Sequence, residues 1–123
     1  MFGFGKKKDG VHKEYYSNGN IKNETSYQDG LLHGPFKSWQ ENGNLEVEGQ
    51  CHNGLQFGII TAFHENRIKS SEIEYDFNGV QIGNSTSWYD NGQMKGTSRM
   101  VNGLAEGVLN SWHKNGQKSE EAS

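Results

Sequence analysis

Histidine, cysteine and carboxylate side chains are where chemistry would reside in this chain, so their spacing is the first test. The histidines are His12, His33, His52, His64 and His113. His64 and His113 each directly follow an aromatic residue. Read as strands, they stand about four strands apart at ~4.8 Å each, too far to share one metal ion. His33 and His52 fall at turn-like positions. Glu41, Glu65 and Asp90 also recur in turn-like segments, where carboxylates cap loops, and nothing in the spacing brings two of them to general acid–base distance. Cys51 has no marked base beside it and reads as a small buried hydrophobe. The Gly-x3-Gly pairs lie in no apolar run of membrane-helix length, and a phosphate-binding glycine loop would need a helix after it. The reading is therefore no catalysis, no metal and no cofactor.

What does recur is aromatic. Gly10 leads to Tyr15, Gly34 to Trp39, Gly58 to Phe63, Gly83 to Trp88 and Gly107 to Trp112, each five residues on. The aromatics are spaced 24, 24, 25 and 24 residues apart. An Asn-Gly turn follows four of them: Asn18-Gly19, Asn42-Gly43, Asn91-Gly92 and Asn115-Gly116. In the first four units an apolar residue follows the turn, Ile21, Leu45, Ile68 or Met94; in the fifth unit Lys118 takes that place. A second turn closes each full unit, at Asp29-Gly30, Asn53-Gly54, Asn78-Gly79 and Asn102-Gly103, followed by Leu31, Leu55, Val80 and Leu104. An internal repeat of this kind settles most of the architecture.

Two turns per unit leave two segments of ordinary strand length. Glycine recurs too often for helices, and no 3.6-residue apolar stripe survives between turns. The fold class is all-β: an elongated, twisted antiparallel meander of successive hairpins in a single sheet of nine or ten strands. A three-residue loop Glu41-Asn42-Gly43, with Gly43 in the left-handed region, sets Trp39 opposite Leu45. The third unit reads FHENRIK, without the glycine. There a two-residue loop Glu65-Asn66 is expected, pairing Phe63 with Ile68, and a β-bulge within SSEIEYDFNG is expected to restore phase. Alternation places Tyr15, Trp39, Phe63, Trp88 and Trp112 on one face with Ile21, Leu45, Ile68, Met94, Tyr27, Cys51 and Met100. Tyr16 and Tyr89 fall on the other.

Only 31% of the residues are hydrophobic and mean hydropathy is −0.93, too little for a thick two-layer core. Lys6, Lys7 and Lys8 form the only basic run; from Asp9 onward 9 basic residues stand against 15 acidic ones. An acidic body gives little reason to expect nucleic acid as a partner. No apolar run approaches the ~20 residues that span a bilayer, so no integral membrane segment is expected. The start, MFGFGKKKDG, has its apolar residues before its lysines, the reverse of a secretory signal, and the single cysteine suits a reducing compartment. A cytoplasmic location is the expectation. The chain divides into a basic, flexible segment 1–9, a repeat domain 10–118 of four full units and a partial fifth, and a tail 119–123.

The unit G-x4-aromatic-x2-N-G-x-apolar, then N/D-G-x3-G, resembles the MORN-repeat variant found in many bacterial proteins. The resemblance covers about residues 10 to 118. It departs from the pattern at HENRIK and in the fifth unit, which stops after one strand and a turn. It implies an elongated sheet of hairpins and a protein-binding role, most specifically that of an antitoxin or immunity-type protein covering a partner toxin. A small-ligand or lipid-headgroup binder and a self-assembling scaffold are the alternatives. The candidate binding residues are Tyr15, Trp39, Phe63, Trp88 and Trp112, with Tyr16 and Tyr89 on the opposite face. The oligomeric state is left open.

Overall fold

The computed structural model describes residues 9–101 and 103–122, and side chains outside 105–110 and 118–122. The lysine run 6–8, Asn102 and Ser123 lie outside the described residues. The strands are β1 (Gly10–Tyr15), β2 (Ile21–Gln28), β3 (Leu31–Leu32), β4 (Gly34–Trp39), β5 (Leu45–His52), β6 (Leu55–Phe63), β7 (Lys69–Tyr75), β8 (Gln81–Trp88), β9 (Met94–Val101), β10 (Leu104–Trp112) and β11 (Lys118–Ala122). They form one antiparallel sheet in sequence order, with the short β3 pairing beside β4 on β2. Each turn joins strands that are also spatial neighbours, so the meander expected from the repeat is the fold.

The inner hairpin turns that carry glycine take the expected form. In the second unit Gln40 N–H donates to Asn44 C=O at 2.8 Å and Gly43 N–H to Gln40 C=O at 2.9 Å. Gly43 has φ 93°, and Trp39 stands opposite Leu45. The third unit corrects the expectation. Its loop is also three residues, Glu65-Asn66-Arg67, with Arg67 N–H donating to His64 C=O at 2.9 Å. Arg67 occupies the glycine's place at φ 73°, and Phe63 pairs with Lys69 instead of Ile68. A residue with a Cβ has been forced into the left-handed region, which is why the missing glycine read as a deletion.

The outer turns are two-residue corners in which both residues have positive φ: Asp29-Gly30 at 54° and 82°, Asn53-Gly54 at 49° and 89°. That twist matches the right-handed twist of the flanking strands. The third unit again differs. Phe77-Asn78-Gly79 is a three-residue loop closed by Asp76 N–H to Val80 C=O at 2.9 Å. This longer corner accounts for the one 25-residue spacing; register shifts do fall within SSEIEYDFNG, at Ser70 and between Glu72 and Glu74, but the other units have them too, so they are not what absorbs the extra residue.

The same one-residue bulge is present in every inner-turn hairpin. Ser38 pairs with Val47 but Trp39 with Leu45, leaving Glu46 extra. Lys22, Ser70 and Lys95 are the extra residues of the first, third and fourth units. One extra residue moves all that follows to the other face. The single-face assignment is therefore corrected. Cys51 shares a face with Ser38 and Val47, whereas Trp39 and Leu45 lie on the opposite one. By the same pairing, Tyr27 and Met100 separate from Ile21 and Met94.

The face of Ser38 and Cys51 has a floor of small residues, including Ala62, Ser71, Ser87 and Gly96. Its packed centre is Phe36, Val47, Cys51, Ile60 and Ala62. Cys51 and Ile60 are buried, and a Cβ on Gly49 would collide with Ile60 Cδ1. The other, aromatic face carries a row of Lys13, Glu24, Lys37, Glu48, Thr61 and Glu72 alongside its aromatics.

Candidate functional site

The inner-turn edge is a ladder of asparagines. Asn42, Asn66 and Asn91 each use Oδ1 to accept the backbone N–H two residues on, closing their own turn at 2.9, 3.1 and 2.9 Å. Asn66 Nδ2 donates to Asp90 C=O at 2.6 Å and Asn91 Nδ2 to Lys114 C=O at 2.8 Å. Asn18 Nδ2 reaches Glu41 C=O at 3.1 Å, and Asn44 Nδ2 reaches Glu65 C=O at 2.7 Å. Each turn thus satisfies itself and grips the turn of the next unit, for which an amide with both acceptor and donor is suited. This edge is occupied with holding the repeat together.

Two candidate binding residues turn out to be part of the same ladder. Tyr16 Oη donates to Trp39 C=O at 2.6 Å and Tyr89 Oη to Trp112 C=O at 2.8 Å. His64, in the same column, bonds Trp88 C=O through Nε2 at 2.8 Å. A carbonyl only accepts, so that nitrogen carries the proton. These rings also hold the chain's own cations, with Lys22 Nζ 5.8 Å from the Tyr16 ring and Lys95 Nζ 5.8 Å from that of Tyr89. They lie on the face opposite the main aromatic column, as alternation anticipates.

Trp39, Phe63, Trp88 and Trp112 are half-buried, and Tyr15, on the edge strand β1, is 60% exposed. They stand side by side at the inner-turn end of the aromatic face, paired with Leu45, Lys69, Met94, Lys118 and Ile21 respectively. Lys69 Nζ sits 6.0 Å from the Trp88 ring centre and ion-pairs with Glu72 at 2.9 Å. The structure thus brings the five together as one row and sets Tyr16 and Tyr89 apart.

The outer-turn edge holds what sequence reasoning missed. His33 and His52 rings lie 4.9 Å apart, His52 meets Phe77 at 4.8 Å, and Phe77 stacks on Phe57 at 4.1 Å with planes 12° apart. Phe77 is 58% exposed although stacked. Two histidines placed at turns and an Asp-Phe-Asn-Gly turn with an aromatic at its tip were the available signals. Leu31, Leu55 and Val80 each lean over the next outer turn: a Cβ on Gly54, Gly79 or Gly103 would meet Leu31, Leu55 or Val80 at 3.8, 3.4 or 3.6 Å. That contact explains why an apolar residue follows each Asn/Asp-Gly.

Two titratable groups are shifted by their surroundings. The Lys114 ammonium, 2.8 Å from Asp90, holds that carboxyl below its ordinary value. Burial pushes the Cys51 thiol up, away from the thiolate a nucleophile needs. Among the described residues no three His, Cys, Asp or Glu side chains gather as metal ligands. An open hollow of about 340 Å³ on the small-residue face is lined by Ser71, Ile73, Ser85, Ser87 and Ser98. Ser85 and Ser98 bond each other there at 2.7 Å. No helix among the described residues is long and apolar enough to cross a membrane.

Comparison with curated proteins gives no match. The family model described as the MORN repeat variant matches residues 8–29, 32–53 and 81–102, more than half of the chain. The stretch between the second and third matches contains Arg67 and the lengthened Phe77 turn, the two places where the structure leaves the common unit. Repeats of this kind are generally non-catalytic modules that bind proteins or membranes. With hairpin units matching it in sequence and recurring in one continuous sheet, the chain belongs to the MORN-repeat variant family.

Proposed function

We propose that this chain is a protein-binding module of the antitoxin or immunity type, acting in the cytoplasm by covering the working surface of a toxin. The observation that carries the reading is the set of large apolar side chains left exposed: Val11, Tyr15, Leu31, Leu55, Ile59, Phe77, Met94 and Leu104. A single sheet has no second layer to cover them, and exposed apolar surface on this scale marks an interface. The acidic balance beyond the N-terminus favours a basic partner by steering and complementarity. Tyr15, Trp39, Phe63, Trp88 and Trp112 are offered as anchors in this reading.

The headgroup-binding alternative has less behind it. The rings of Tyr16, Trp88 and Tyr89 already lie within 6.0 Å of the chain's own lysines, so an external ammonium would have to displace them. The deciding experiment expresses the protein encoded next to this chain, alone and together with it. Growth arrest by the neighbour alone, relieved by the chain, is the expected result. Unrelieved arrest, or no arrest at all, would count against the antitoxin role.

A further inference from the structure

The two long edges of the sheet differ in chemistry. At the inner turns, asparagine side chains bond from unit to unit, and charges of both signs lie at or beside them: Lys22, Arg67, Lys69, Lys95 and Lys114 with Glu41, Glu65 and Asp90. The outer edge is an apolar ridge. Leu31 leans on Gly54, Leu55 follows Gly54 and leans on Gly79, Val80 follows Gly79 and leans on Gly103, and Leu104 comes next. Leu31, Leu55 and Leu104 are 47%, 46% and 72% exposed, and the Phe57–Phe77 stack stands beside them. Flanking this ridge are Asp9, Asp29, Glu74 and Asp76, with Arg99 as the described cation at that end of the strands.

Each ridge residue belongs to a successive unit, two strands on, so the apolar points recur about every 9.6 Å. An α-helix advances about 10.5 Å in seven residues. We infer that the outer edge, Leu31 to Leu104 with Phe77, is a docking surface for a basic amphipathic α-helix of a partner protein. The helix lies across the strand ends, sets one apolar residue between ridge points every second turn, and turns its lysines or arginines toward Asp29, Glu74 and Asp76. The two repeats differ by under 1 Å per unit, which the twist of sheet and helix absorbs over three units. The inference rests on the protein-binding reading and specifies its surface and the chemistry of its partner.

The test uses the full chain and a fluorescein-labelled synthetic peptide of about 21 residues, with leucine every seventh position, lysines beside each leucine and alanine elsewhere. Anisotropy titration is expected to show saturable binding that weakens with added salt. Leu55→Asp and Phe77→Ser should each weaken it at least about 10-fold, whereas Lys69→Ala, at the other edge, should leave it within about twofold. A matched peptide with glutamate in place of lysine should bind far more weakly. A retained cooperative melt would show both edge variants to be folded, at a melting temperature lowered by loss of the Leu55–Gly79 and Phe57–Phe77 contacts. No saturable binding, or equal binding to all variants, overturns the inference. So does cosedimentation with zwitterionic vesicles that Leu55→Asp abolishes while the peptide fails to bind, since the edge then serves lipid. Concentration-dependent dimerisation lost in Leu104→Asp, again without peptide binding, overturns it in favour of a second copy. A stoichiometric native partner that binds the edge variants as tightly as the wild type overturns the edge while leaving the protein-binding function standing.

Discussion

At the residue scale Asn18, Asn66 and Asn91 of the inner turns each do two jobs with one side chain, which Asn42 and Asn44 share in the second unit. Asn91 accepts from Gln93 N–H through Oδ1 and donates to Lys114 C=O through Nδ2. Asn91→Asp keeps the first bond and loses the second, while Asn91→Ala loses both. Chemical denaturation should show Asn91→Asp destabilised by about 0.5 kcal/mol and Asn91→Ala by about 1 kcal/mol, values set by bonds that water can replace. Cys51 makes a pH-dependent contribution. Its folded pKa is raised by burial, so its share of stability is fully present below the unfolded thiol value of about 8.5 and is lost as pH rises through the folded one. Urea unfolding across that range should show stability falling on the alkaline side in the wild type and less so in Cys51→Ala. The small buried role of Cys51 was legible in its sequence column. The bonds from one turn's asparagine to the next unit were not, because they depend on how closely one unit stacks on the next.

At the element scale the hairpin turn of the third unit is the strained one. Arg67 adopts φ 73° where the other units have glycine, with Arg67 Nε donating to Asn44 Oδ1 at 3.0 Å in partial compensation. Gly43→Arg should cost about 1 kcal/mol, and Arg67→Gly should gain a few tenths, the lost bond and the freer unfolded chain offsetting much of the relief. Paired thermal melts of the two variants would check the opposite signs. A second element-scale prediction concerns Gly49 on β5. Gly49→Val would overpack against Ile60 and Phe36, whose ring carbons a Cβ would approach at 3.1 Å, and should cost about 1–3 kcal/mol by denaturant titration. The meander, the inner turns that carry glycine and the Trp39–Leu45 pairing were readable because turn chemistry and a 24-residue period act locally; the third unit's loop and the short β3 were not. The facing of the aromatics was not, because an extra residue at Lys22, Glu46, Ser70 or Lys95 leaves no mark in composition while reversing every side chain beyond it.

At the scale of the whole molecule, one sheet lacks a second layer, and the repeat supplies its own substitute. Hydrogen bonds from asparagine, tyrosine and histidine run from unit to unit along one edge, and leucines lean on glycines along the other. Such a chain is stabilised by nearest-neighbour contacts. That design leaves its faces and its outer edge open. The aromatic column was legible as the dominant feature, whereas the Phe57–Phe77 stack was hidden by the lengthened turn that builds it. The surface that remains is suited to covering another protein. The most direct measurement of that claim is the scattering mass of the chain after co-expression with its encoded neighbour. The account predicts one stoichiometric hetero-complex that persists through size exclusion; elution of the chain alone, at the mass of a single copy, would contradict it.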